Sequence, residues 1–278
     1  MTTPYNPAQD GAQMTFDGRM SYTDYLRLDA VLGAQALVSD AHDEMLFIIQ
    51  HQTSELWMRL ALHEMTAARE AIRSDAVQPA LKMISRIARI FEQLNGAWDV
   101  LRTMTPSDYT TFREALGQSS GFQSHQYRMI EYILGNRNRA MMGPHAHRPD
   151  LYAALDAELA RPSLYDEVLS LAMRQGHDLP TDAITRDLDK PHQEHPAIIE
   201  MWRRIYSDPA RHWSIYEMAE KLVDLEDYFR RWRFNHVTTV ERVIGIKRGT
   251  GGTSGVAYLR RMLEVELFPD LWRVRTVL

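Results

Sequence analysis

Residues 76–103 read AVQPALKMISRIARIFEQLNGAWDVLRT. Within this stretch Val77, Leu81, Ile84, Ile87, Phe91, Leu94, Trp98 and Leu101 recur at intervals of three and four. That spacing puts them on one continuous stripe of one long helix. A stripe of this length needs other helices to cover it, and the rest of the chain supplies them. A helix is expected over roughly 40–73, with Asp40 as its cap and Asp43 and Glu44 in the first turn, where negative charge suits the helix dipole. After Pro209 neither Gly nor Pro occurs until Gly245, and apolar residues again recur at helical spacing. Period-2 alternation is scarce. The expected fold class is all-α: one large helical domain, residues 1–278, built on three long helices, with a small helical middle section.

The remaining elements are shorter. A polar leader covers residues 1–20, and Ser21 opens a short helix. Thr105-Pro106-Ser107-Asp108 starts another, which Gly117 ends, and a helix over 122–134 closes at Gly135. Residues 136–149, holding Gly143, Pro144 and Pro149, read as loop. Helices are expected near 150–160, 163–175, 197–206 and 256–266. The stretch 136–208 is either a helical insertion or a small appended unit.

The 278 residues suffice for a sizeable core, and 45% hydrophobic with 25% charged residues is ordinary globular composition. The chain has no Cys, which excludes disulfides, zinc-thiolate sites, iron-sulfur clusters, thioether-linked haem and a thiolate haem ligand. Any haem must be held by His, Tyr or Met. A net charge of -5 argues against nucleic acid as partner; the cluster Arg230-Arg231-Trp232-Arg233 is offset by Asp224, Glu226 and Asp227. The N-terminus lacks a signal-peptide pattern and no run of 18 apolar residues occurs, so no membrane association and a cytoplasmic location are expected.

Four constellations can carry chemistry. His51 lies mid-helix on one face with Phe47 and Glu55, and His236 shares a face with Phe229, Trp232, Arg233, Val240 and Val243. From spacing alone each is a core histidine, a hydrogen-bonding group or a haem ligand. Two such residues on two long helices suit a planar cofactor between facing helices. The run Gly249-Thr250-Gly251-Gly252-Thr253-Ser254-Gly255 follows a helix and lacks a P-loop ending. It is an anion nest, a lid or a plain connection. Tyr109 and Arg113 lie one turn apart, and Arg can grip a carboxylate with two bonds. No His has Glu three residues before it, as a di-iron bundle requires, and Gly-x-Ser-x-Gly does not occur.

Several runs resemble the tryptophan 2,3-dioxygenase family. They are Tyr22-x-x-Tyr25-Leu26-x-Leu28-Asp29, the stretch from His42 to Trp57, Pro106-Ser107-Asp108-Tyr109-x-x-Phe112-Arg113, and Ser119-Ser120-Gly121-Phe122-Gln123-Ser124. Trp232-Arg233-Phe234-x-His236, Val240-x-Arg242-Val243-Ile244-Gly245, the glycine run and Phe268-Pro269-Asp270-Leu271-Trp272 continue the series in order. The resemblance is weakest over 1–20 and 136–200. It implies haem b, one per subunit, with His236 as axial iron ligand and Ser120 and Trp98 beside the cofactor. It implies His51 on the distal side near the indole N–H, and Phe47, Tyr22 and Tyr25 around the indole, the two tyrosines reaching in from a neighbouring subunit of a homotetramer. Arg113, with Tyr109 beside it, and Thr250 then hold the amino-acid end. The implied reaction inserts O2 into the indole C2=C3 bond of L-tryptophan to give N-formyl-L-kynurenine, the first step of the kynurenine route. Rival readings are a haem sensor or carrier, a non-haem helical scaffold, and a related dioxygenase of broader indole specificity. Arg113 with the glycine run speaks against a carrier, and His51 favours the tryptophan-specific family.

Overall fold

The computed structural model describes residues 4–278, which divide into one unit running to Val38 and another from Ser39 to Leu278. In the first, a 3-10 turn covers Pro7–Asp10. Ser21 then caps α1 (Tyr22–Leu26) in a reciprocal arrangement with Asp24. Arg27, in the left-handed region at φ 53°, breaks the chain before α2 (Leu28–Leu32).

The second unit opens with α3 (His42–Arg73), which begins two residues after Asp40. Asp40 is exposed and makes no cap. Glu44 replaces it: its carboxylate turns back to accept the Ser39 amide at 2.8 Å, so the negative charge comes from inside the first turn. A tight turn leads to α4 (Val77–Leu101), followed by α5 (Pro106–Arg113) behind a Thr105–Asp108 capping box. A 3-10 turn at Gly121–Gln123 precedes α6 (His125–Leu134), capped by Ser124 and ended by Gly135 at φ 103°. Residues Arg139–His145, expected as loop, form a 3-10 helix because the Asn138 side chain caps it. Then come α7 (Pro149–Leu159), α8 (Leu164–Arg174), α9 (Thr181–Ile184) and α10 (Pro196–Ser207). The long α11 (Trp213–Val243), α12 (Val256–Met262) and α13 (Pro269–Val274) complete the chain.

Among the described residues every regular element is helical, as the periodicity predicts. α4 packs along both α3 and α11. Its stripe meets Met65, Ala68 and Ile72 of α3 and Leu222, Leu225 and Phe229 of α11, with Phe91 edge-on to Phe229 at 5.2 Å. Each such fully buried Leu, Ile, Met or Phe side chain stabilises the fold by about 1.5–3 kcal/mol. The 136–208 stretch shares this core: Leu164, Tyr165 and Val168 of α8 and Ile198, Met201 and Trp202 of α10 belong to it. α12 stops at Met262, four residues before the expected end. Beyond it, α11 claims the backbone: Glu226 accepts the Leu267 and Phe268 amides at 2.8 and 3.0 Å, and Arg233 donates to the Val265 carbonyl. No described helix is long and apolar enough to cross a membrane.

Candidate active site

The three long helices, α6 and α12 line a cavity of about 110 Å³, with His51, Trp98 and His236 among its lining side chains. The unbroken run of α11 carries His236 to the cavity wall, where Trp98 of α4 stacks on it at 4.9 Å with the rings 14° apart. Neither ring nitrogen of His236 hydrogen-bonds to a described residue. Burial, helped by the nearby His51, pushes its pKa down to about 4, so the imidazole is neutral at physiological pH. A neutral imidazole with a free lone pair facing a cavity is what iron ligation requires.

His51 faces the same cavity from α3. Its Nδ1–H donates to the Phe47 carbonyl at 2.7 Å, which fixes the tautomer and leaves Nε2 as an acceptor. Burial lowers its pKa, opposed by the Phe47 bond and the Glu55 carboxylate. Glu55 is itself held, accepting from the Ser124 hydroxyl at 2.6 Å and the Gln126 amide at 2.8 Å.

Next to His51 a second apolar cluster gathers Phe47, Leu101, Met104, Tyr109, Phe112 and Val243. Phe47 lies 4.2 Å from the His51 ring, 6.0 Å from Tyr109 and 5.6 Å from Phe112. Burial raises the Tyr109 pKa, and Arg113 one turn on counters part of that. Arg113 is half-buried and donates to the Arg248 carbonyl at 2.6 Å, reaching the edge of the glycine loop. Within that loop Thr250 donates to the Ser119 carbonyl at 2.6 Å. The glycines there are sterically required: a Cβ on Gly251 would stand 2.8 Å from the Ser120 Cβ, and one on Gly255, at φ 62°, 2.5 Å from the Lys247 carbonyl. The loop amides of Gly249, Gly252 and Gly255 are spent inside the loop, which weakens the anion-nest reading. Ser120 caps the 3-10 turn at Gly121, accepting the Phe122 amide.

The structure thus brings His51, Trp98 and His236 to one cavity, and joins Phe47, Tyr109 and Arg113 beside it, with Thr250 and Ser120 along the loop edge. Tyr22 and Tyr25 belong to the N-terminal unit, on α1, with exposed rings. Sequence reasoning missed an ion network in the cavity wall. Glu131 of α6 pairs with Arg128 one turn earlier and with Arg233 of α11 at 3.1 Å, and Arg233 also reaches the Tyr127 hydroxyl. All three charged groups are buried, and removing one partner from such a network costs about 3–5 kcal/mol. An Arg/Glu pair at i, i+3 in an otherwise apolar helix was the available signal.

A family model described as tryptophan 2,3-dioxygenase matches residues 6–204 and 200–278. The chain belongs to the tryptophan 2,3-dioxygenase family. It is 67% identical to a tryptophan 2,3-dioxygenase from Bradyrhizobium diazoefficiens, over all of this chain and 99% of that one. It is 65% identical to one from Ruegeria pomeroyi, over 99% of both chains, and 58% identical to tryptophan 2,3-dioxygenase 1 of Ralstonia nicotianae, over 95% of this chain and 90% of that protein. The match to the tryptophan 2,3-dioxygenase family takes in both cavity histidines, Arg113 and the glycine loop.

Proposed function

We propose that the chain uses O2 to open the indole ring of L-tryptophan, giving N-formyl-L-kynurenine, in the cavity between His51 and His236. The carrying observation is the pair of neutral imidazoles on one cavity, one without a hydrogen bond to any described residue and the other locked in a single tautomer. The wall suits a haem. His236 offers a lone pair for the iron, and the buried Arg128 Nε and Trp98 Nε1 have no partner among the described residues, which leaves donors for the porphyrin's carboxylates and edge. Without Cys the group is held non-covalently, which favours haem b, one per chain. When bound, the haem supplies the O2 chemistry.

The protein positions the substrate. His51 Nε2 accepts the indole N–H, Phe47 packs on the indole, and Arg113 and Thr250 hold the carboxylate and ammonium, with Tyr109 alongside. Fixing both ends of the amino acid sets the indole in one orientation and keeps water out. Tyr22 and Tyr25 complete the indole pocket of a neighbouring subunit in a homotetramer; their exposed rings are apolar surface in need of a partner.

His51 serves as acceptor only when neutral. Its pKa lies below the ordinary 6.5, so the acid limb of kcat/KM is expected below pH 6.5. His51's contribution to stability follows the same sign: full above the unfolded value and lost as pH falls toward the folded one. Glu55→Gln removes the attraction that raises this pKa, and the acid limb is expected to move lower still. A limb that stays in place or moves up rules out His51 as the titrating acceptor.

The reading as a whole is tested by reconstituting the protein with haem, reducing it, and adding L-tryptophan and air. A Soret band with growth of the N-formylkynurenine absorbance is expected. A Soret band without product turns the assignment to a carrier or another indole substrate.

A further inference from the structure

Asn95 and Trp98 of α4 and its C-cap residue Arg102 follow one another at three and four residues, so one face turns all three toward α11. The middle residue stacks on His236. The outer two make polar clamps on either side of that stack. At one end Asn95 donates to the Tyr228 carbonyl at 3.1 Å and to the Phe91 carbonyl at 2.8 Å, and accepts from the Asn235 amide at 2.9 Å. At the other, Arg102 donates to the Thr239 and Thr238 hydroxyls at 2.8 and 2.6 Å, and to the carbonyl and side-chain oxygens of Asn235 at 3.3 Å each. On α4 the two ends are about two helical turns apart, roughly 10 Å, with Trp98 between them, and on α11 both meet at Asn235, the neighbour of His236.

Burial gives no reason for this arrangement. Phe91, Phe229 and their neighbours already hold α4 to α11, and apolar surfaces tolerate small slips along the helix axis. Hydrogen bonds add little net stability but demand direction and distance. Asn95 stands next to Gly96 mid-helix, two residues of poor helix propensity, and a Cβ on Gly96 would meet nothing within 4 Å. Helix propensity is given up where α4 meets the His236 turn. A ligating histidine is ordinarily oriented by a hydrogen bond to its second nitrogen. His236 makes none to a described residue, so its ring direction depends on the Trp98 stack and on the register of α11.

We infer that Asn95 and Arg102 are positioning residues: through Asn235, Thr238 and Thr239 they set the register of α11 and so the direction in which His236 presents its ring to the cofactor. The inference rests on His236 as the axial ligand. The test is the iron–histidine stretching band in the resonance Raman spectrum of the ferrous holoenzyme, read beside thermal midpoint, kcat and KM. Asn95→Ala and Arg102→Ala are expected to shift and broaden the band and to lower kcat on the order of tenfold, with KM for tryptophan changed by less than about twofold. Arg102→Lys, which keeps a donor but not the fork, is expected to fall between. Arg86→Ala breaks the Arg86–Glu64 pair between α3 and α4 and is expected to lower the midpoint with the band in place. If Asn95→Ala does not fold, Asn95→Ser takes its place. Variants that lose thermal stability while the band stays at the wild-type position overturn the inference. A wild-type holoenzyme without an iron–histidine band overturns the axial assignment itself, and the inference with it.

Discussion

Replacing His236 with alanine is expected to remove the native haem spectrum and to weaken haem binding by roughly a hundredfold or more. Losing a residue that merely supports a metal ligand costs about 10- to 100-fold in affinity, and here the ligand itself goes. The cavity holds one other imidazole that can step in, His51, whose Nε2 is free. The two assignments therefore separate cleanly. If His236→Ala keeps a histidine-ligated spectrum and His51→Ala loses it, the roles are reversed. The metal-free protein gives a second readout. The folded pKa of about 4 for His236 lies below the unfolded value, so the unfolded chain takes up the proton first as pH falls. Stability contributed by the neutral ring is complete above pH 6.5 and drains away toward pH 4. Alanine removes that loss, so apo His236→Ala is expected to be less sensitive to acid over this interval than the parent. Equal acid sensitivity indicates that His236 is not buried as the structure has it.

The helical frame was legible because its signals are local. The three- and four-residue spacing of Val77 through Leu101 carries α4 by itself, and the run between Pro209 and Gly245 carries α11. Errors arose where distant side chains decide. The Ser39–Glu44 contact displaced Asp40 as the start of α3. Glu226 and Arg233, reaching from α11 to the backbone at 265–268, ended α12 early. In the site, spacing left His51 and His236 as ambiguous residues on apolar faces, and the resemblance gave them roles. The geometry adds what neither could: a tautomer fixed by the Phe47 carbonyl, a Trp98 ring stacked on His236, and depressed pKa values with burial as the cause. Of the Arg128–Glu131–Arg233 network only the Arg128–Glu131 half, one turn apart, left a mark in the sequence; the Arg233 half joins residues about a hundred positions apart, for which one sequence carries no signal.

Arg113→Ala is expected to raise KM for L-tryptophan about thirtyfold or more while leaving the haem spectrum unchanged. Truncating one partner of a hydrogen-bonded charge pair costs about 2–5 kcal/mol, and the half-buried setting of Arg113 argues for the lower end of that range. The guanidinium of Arg113 is engaged with the Arg248 carbonyl, a neutral acceptor that a carboxylate can displace because it adds an opposite charge and a second, parallel hydrogen bond. Displacement releases the edge of the glycine loop, and Thr250, tied to Ser119, is the neighbouring group free to rearrange toward the ammonium. Under the proposed function, Arg113 links recognition of the amino-acid end to the position of the loop. Lysine at this position keeps the charge but not the planar fork, and is expected to recover only part of the affinity. The decisive comparison is with an indole lacking the carboxylate: it should bind wild type and Arg113→Ala equally well. An unchanged KM for tryptophan in Arg113→Ala, or an equal loss for the decarboxylated analogue, removes Arg113 from the substrate site.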